Sequence, residues 1–158
     1  MISRLLIISI GYLYYGNMPQ TSLPIVTVNV TESIVYVGES TMIGIEVNVK
    51  EGYHIQANKV NDEFLIPTTL EIDNNEFITI DRLEFPISKQ FLLEGNESPL
   101  QVYDGKFIIK LFLSPVTKIQ SGKYLLNARL RYQACDSRSC LFPRVINFSI
   151  PIDVTYEK

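Results

Sequence analysis

The chain predicts an all-β fold, an antiparallel β-sandwich. The longest apolar runs alternate with a period of two, turn residues recur at intervals of roughly eight to twelve, and no amphipathic helix exceeds two turns. The 158 residues suit one domain with a sizeable core, and a composition 46% apolar and 20% charged is globular.

The elements follow in order. Ile25 to Val30 alternates and is rich in β-branched residues. Ser33 to Val37 is short and stops at the turn pair Gly38-Glu39. In Thr41 to Val49, Ile43, Ile45, Val47 and Val49 share one face, and Glu51-Gly52 ends the segment. Tyr53-His54-Ile55 opens another strand. Thr69 to Ile72, Phe77 to Ile80 and Leu83 to Phe85 are short candidates. Residues 86–104 read as a loop punctuated by Pro86, Gly95 and Pro99, yet the loop carries Phe91, Leu92 and Leu93. Long loops inside compact domains are commonly functional. Gly105 to Leu113, Lys123 to Tyr132 and Val145 to Val154 complete the set as three longer strands.

Residues 1–20 are set apart as an apolar leader, with the domain over 25–158. Arg4 precedes an apolar run of about a dozen residues, short for a membrane helix and suited to a signal-peptide core. The small-x-small cleavage site is missing, so an uncleaved anchor through residues 5–15 stays open as an alternative. Either reading places the domain in the periplasm or another extracytoplasmic space, where disulfides persist.

Much chemistry is excluded. Net charge is −3 without a Lys/Arg run, which argues against a nucleic-acid partner. His54 is the only histidine, so a blue-copper site, which needs two imidazoles, is ruled out. A zinc site would need His54, both cysteines and a carboxylate, and the paired-knuckle spacing is absent. No Gly-x-Ser-x-Gly elbow or glycine-rich phosphate loop occurs. Asp73, Glu76, Asp81 and Glu84 are scattered and read as solvated.

What remains is the segment from Leu130 to Pro143, which holds the only two cysteines, Cys135 and Cys140. Such a pair is either a structural staple or a reversible two-electron carrier. As a staple, a loop this small gains only about 2 kcal/mol. Ser137 and Ser139 make the loop polar, and exposed short-loop disulfides are the more easily reduced. Asp136 opposes thiolate formation while Arg138 favours it. The residues alone leave both readings open.

The chain resembles the N-terminal domain of the thiol:disulfide interchange protein DsbD. The resemblance is carried by Gly52-Tyr53-His54-Ile55, Phe64-Leu65-Ile66-Pro67-Thr68, Val102-Tyr103-Asp104-Gly105, and Tyr132-Gln133-Ala134-Cys135 with Cys140-Leu141-Phe142-Pro143. It spans residue 25 to the end and implies an immunoglobulin-like sandwich in which Cys135 and Cys140 exchange electrons as a protein-disulfide reductase component. Cys140 would form the intermolecular bond and Cys135 would resolve it. Phe91 or Leu92 would be the apolar lid of a cap loop, and Tyr53 and Tyr132 would wall the site. The partners implied are thioredoxin-fold proteins, namely a DsbD-like C-terminal domain, periplasmic disulfide isomerases or cytochrome-maturation thioredoxins, and a DsbD-like membrane electron transporter. No cofactor is implied. Familiar members have one more residue between the cysteines. Membrane and thioredoxin-like domains are not in this sequence, so the expected donor is a separate protein or another part of a longer chain. The competing class is a structural or adhesive sandwich with a permanent disulfide.

Overall fold

The computed structural model describes residues 23–156. The leader expected over residues 1–20 lies outside them. Among the described residues there are twelve strands and no helix, an immunoglobulin-like sandwich rich in antiparallel pairs.

One sheet runs β1 (Val26–Val30), β3 (Thr41–Val49), β9 (Lys106–Pro115) and β6 (Ile78–Glu84). The second runs β2 (Ser33–Tyr36), β12 (Arg144–Thr155), β10 (Gly122–Tyr132) and β5 (Thr69–Ile72). All pairs in these two sheets are antiparallel except β2 with β12.

Alternation explains the core. Ile43, Ile45 and Val47 of β3 and Ile109, Leu111 and Leu113 of β9 point inward and are buried. From the other sheet Leu126, Ala128 and Leu130 of β10 and Ile150, Ile152 and Val154 of β12 meet them in one cluster. Removing this much apolar surface from water is the main stabilising contribution, about 25 cal/mol per Å² buried.

Two sequence expectations are corrected here. Residues 77–80 and 83–85 are not separate strands: β6 runs through both, and its register against β9 shifts between Ile80 and Arg82. The extra residue, Asp81, breaks the alternation and hides the continuity. Residues 86–104 are not all loop. They contain β7 (Lys89–Phe91) and β8 (Leu100–Tyr103), which join β4 (His54–Gln56) and β11 (Ala134–Cys135) in a small third sheet, ordered β11-β4-β8-β7.

That third sheet caps one end of the sandwich and carries the cysteines. The chain turns into β4 through Gly52, at φ 83°, and leaves β8 through Gly105, at φ 58°. Both positions are in the left-handed region that glycine occupies without strain. The Gly105 carbonyl accepts from Val49 N at 2.8 Å, tying the small sheet to β3.

Candidate functional site

β11 is only two residues long, and it delivers Cys135 to the edge of the small sheet. Ala134 pairs with Ile55 of β4, and Cys135 with His54. The chain then reverses through Asp136–Ser139 and returns at Cys140, opposite Cys135 in an antiparallel bridge. The two sulfurs are joined as a disulfide, with Cα atoms 3.9 Å apart.

Asp136 builds the reversal. Its Oδ1 accepts from Arg138 N and Ser139 N, each at 2.8 Å, and its own N–H donates to the Ser139 carbonyl at 3.0 Å. Those two backbone donors hold the Asp136 carboxyl below the usual carboxylate range, since they favour the ionised form. Beyond the turn, Leu141 N donates to the Ala134 carbonyl at 2.7 Å. Gln133 fastens the other flank. Its Oε1 accepts from Ile66 N at 2.9 Å and its Nε2 donates to the Leu141 carbonyl at 3.2 Å.

The two cysteines differ in burial. Cys135 is fully buried, whereas Cys140 is half-buried. Cys140 also lines an open groove of about 380 Å³ with Gln133, Leu141, Phe142, Pro143 and Arg144. Phe142 on the rim is 92% exposed. A larger depression, about 1100 Å³, lies between residues 61–65 and 95–101 and includes neither cysteine.

A small apolar cluster surrounds the pair. Leu65, Phe91, Leu93 and Cys140 pack around buried Leu100, Val102 and Cys135. Phe91 also stacks on the His54 ring at 3.8 Å between centroids. The segment after β7 is tied to the cysteine turn by Glu94 N donating to the Ser137 carbonyl at 3.1 Å. Its base is held by a Lys89–Asp104 ion pair and by Ser88 Oγ donating to Gln101 Oε1 at 2.8 Å.

The residues named from the sequence are therefore only partly brought together. Cys135, Cys140 and Phe91 converge. Leu92 does not: it is 60% exposed, whereas Leu93, two residues beyond Phe91, packs in the cluster. Tyr53 and Tyr132 do not wall the sulfurs either. Both pack into the main sandwich core, and burial raises the Tyr132 phenol above its usual range.

Two polar residues of β4 went unnamed as site residues. Gln56 is fully buried, and its Nε2 donates to Cys135 Sγ at 3.2 Å and to Cys140 Sγ at 3.6 Å. His54 sits opposite Cys135, with its Nδ1 buried and unpartnered. The signal was the spacing: His54 and Gln56, two apart on a strand, share one face of the sheet, the face also taken by Cys135, which pairs with His54. No group of three or more metal-ligating side chains converges among the described residues. No described helix is long and apolar enough to cross a membrane.

Fold and site together define a β-sandwich that presents a disulfide-bonded cysteine pair on a strand-and-turn tip packed against Leu65, Phe91 and Leu93. Residues 24–150 match the family model described as thiol:disulfide interchange protein DsbD, N-terminal, and the chain belongs to that family. Among solved structures it is similar to the N-terminal periplasmic domain of ScsB from Proteus mirabilis, at 16% identity and a TM-score of 0.51. That match covers 81% of this chain and 44% of the other, so the chain spans less than half of the ScsB domain structure. It is also similar to the reduced DsbD N-terminal domain of Neisseria meningitidis, at 15% identity, 70% and 77% coverage and a TM-score of 0.43. A third neighbour is a type I cohesin from Pseudobacteroides cellulosolvens, at 10% identity, 84% and 94% coverage and a TM-score of 0.49. No curated protein sequence matches the chain.

Proposed function

We propose that this domain is an extracytoplasmic thiol–disulfide exchange module in which the Cys135–Cys140 disulfide is made and broken in turnover. The observation that carries the reading is the unequal burial of the two cysteines, with Cys140 alone lining the groove. A partner's thiolate must reach one sulfur, and the other must lie within bonding distance to resolve the mixed disulfide. Half-buried Cys140, beside an open groove, suits the first role, and buried Cys135 suits the second.

In the reducing half-cycle a partner thiolate attacks Cys140 Sγ and Cys135 leaves as thiolate. A second partner thiol then displaces Cys140, and the partner departs as a disulfide. The reverse sequence reduces a downstream disulfide. Family membership supports thioredoxin-fold proteins as partners, with a DsbD-like membrane transporter as one electron source. The periplasmic placement of the ScsB domain supports the same compartment here.

The test uses single mutants and a thioredoxin-fold protein whose resolving cysteine is removed and whose attacking cysteine carries a thionitrobenzoate group. C135S leaves Cys140 to displace that group, and the mixed disulfide should accumulate on a non-reducing gel. C140S should trap little. Equal trapping refutes the assignment of roles. No trapping, with a wild-type pair that stays oxidised in strong reductant, means a permanent structural disulfide.

A further inference from the structure

Among the described residues, two side-chain polar atoms are buried without a hydrogen-bond partner: His54 Nδ1 and Gln56 Oε1. Both belong to β4, the strand that pairs with Cys135. Gln56 is also the residue whose side chain bonds to sulfur, through Nε2 to Cys135 Sγ at 3.2 Å and Cys140 Sγ at 3.6 Å. One end of this amide is thus engaged by the disulfide and the other is left unsatisfied. A fully buried amide with an unused carbonyl is costly, and native structures rarely keep one without a reason.

A disulfide has no hydrogen to give. Reduction changes that. The S–S bond takes up two electrons and two protons from a dithiol, which is oxidised to its own disulfide, and each cysteine gains an S–H donor. The buried Cys135 sulfur lies within hydrogen-bond reach of the Gln56 Nε2 donor in the oxidised state already, at 3.2 Å.

We propose that Gln56 acts directly on the reacting sulfur and favours its reduced states, a role that rests on the exchange reading above. When a thiolate attacks Cys140, the displaced Cys135 sulfur carries negative charge in an apolar cluster, and the Nε2–H already aimed at it stabilises that leaving group. A stabilised leaving thiolate departs faster. The same donor lowers the energy of the Cys135 thiolate and so favours the reduced pair at equilibrium. The amide so makes the disulfide easier to reduce and speeds the first displacement.

The near-isosteric Q56M removes both ends of the amide, while Q56E, assayed at a pH alkaline enough to ionise a carboxyl whose pKa burial raises, keeps an acceptor and removes the donor. Oxidised wild type and variants are equilibrated with dithiothreitol buffers, and the rate of attack by dithiothreitol is followed separately. Q56M should lower the equilibrium constant for reduction about tenfold, equivalent to about 30 mV for this two-electron couple, and slow attack to a similar degree. Q56E should slow attack further, because a carboxylate would face the departing thiolate. Melting separates this role from simple packing: Q56M should destabilise the reduced domain and leave the oxidised domain at least as stable as wild type. Constants and rates for Q56M within twofold of wild type, or equal loss of stability in both states, overturn the proposal. If Q56M misfolds, Q56E decides alone, an unchanged attack rate being the overturning result. Dithiothreitol reports on Gln56 regardless of any protein partner. A C135S domain that fails to trap a thioredoxin-fold protein therefore defeats the exchange reading separately.

Discussion

Replacing Phe91 with alanine should uncover the disulfide and accelerate its reduction. Phe91 is half-buried, packs in the cluster around Cys135, and stacks on His54 at 3.8 Å. Half the burial of a phenylalanine contributes about 1 to 1.5 kcal/mol. The ring stack adds about 0.5 to 1 kcal/mol. If the segment after β7 lifts as a flap, the two together oppose its opening by about 2 kcal/mol, which corresponds to about a thirtyfold change in the open population. If an attacking thiol must wait for the flap to lift, the rate of reduction by dithiothreitol rises by the same factor. The assay quenches aliquots with an alkylating reagent and counts modified cysteines by mass spectrometry. Circular dichroism of the oxidised variant confirms that the sandwich is intact. A folded F91A domain whose rate rises less than twofold would refute the view that this ring controls access.

Neighbouring side chains should divide sharply. L93A, in the cluster, should weaken closure by about 1 kcal/mol and speed reduction severalfold, whereas L92A, out in solvent, should stay within about 0.5 kcal/mol of wild type in urea unfolding. L111A at the centre of the sandwich should cost about 2 to 5 kcal/mol in the same urea assay, with reduction of the disulfide in the folded domain unaltered. The cysteine turn should loosen in acid. Asp136 has a lowered folded pKa, so its contribution is full above the unfolded carboxylate value near 4 and is lost as pH falls through the lowered value. Amide NMR shifts of Arg138 and Ser139 should follow that titration, and D136N should flatten it; shifts that ignore pH would contradict the turn described.

The long strands were legible because their inner faces are almost purely apolar. Thr41–Val49 has the bounds expected, and β9, β10 and β12 differ from expectation by one or two residues at either end. Short elements at the site end were not legible. Leu100-Gln101-Val102-Tyr103 is buried at three of its four positions, so it lacks the alternation that marks a strand with one wet face. Pro99 and Gly95 beside it read as loop, and they are loop, but β7 and β8 lie on either side. A two-residue strand such as Ala134–Cys135 has no periodicity at all. At the site, cysteine chemistry announces the sulfurs. Gln56 carries no such mark, since a polar residue at the end of a three-residue strand ordinarily faces water. Its place beside the sulfurs becomes visible only once β4 is paired with β11 in the third sheet. Leu92 and Leu93 are indistinguishable by composition, and only the end of β7 decides which one turns inward.

The kink at Asp81 bears on how this molecule meets others. A long, flat outer strand invites a foreign strand to add to the sheet, which leads to aggregation or to backbone-mediated docking. Of the outermost strands in the three sheets, β1, β2, β5, β7 and β11 have five residues or fewer, and only β6 is longer, at seven. That strand is interrupted by the irregularity at Asp81 and bears Arg82 and Glu84, paired with each other at 2.8 Å. No outer strand thus offers a long uninterrupted template. Among the described residues, side chains and turn tips are therefore the surfaces left for contact, and the outer strands are guarded against recruiting neighbours into a growing sheet.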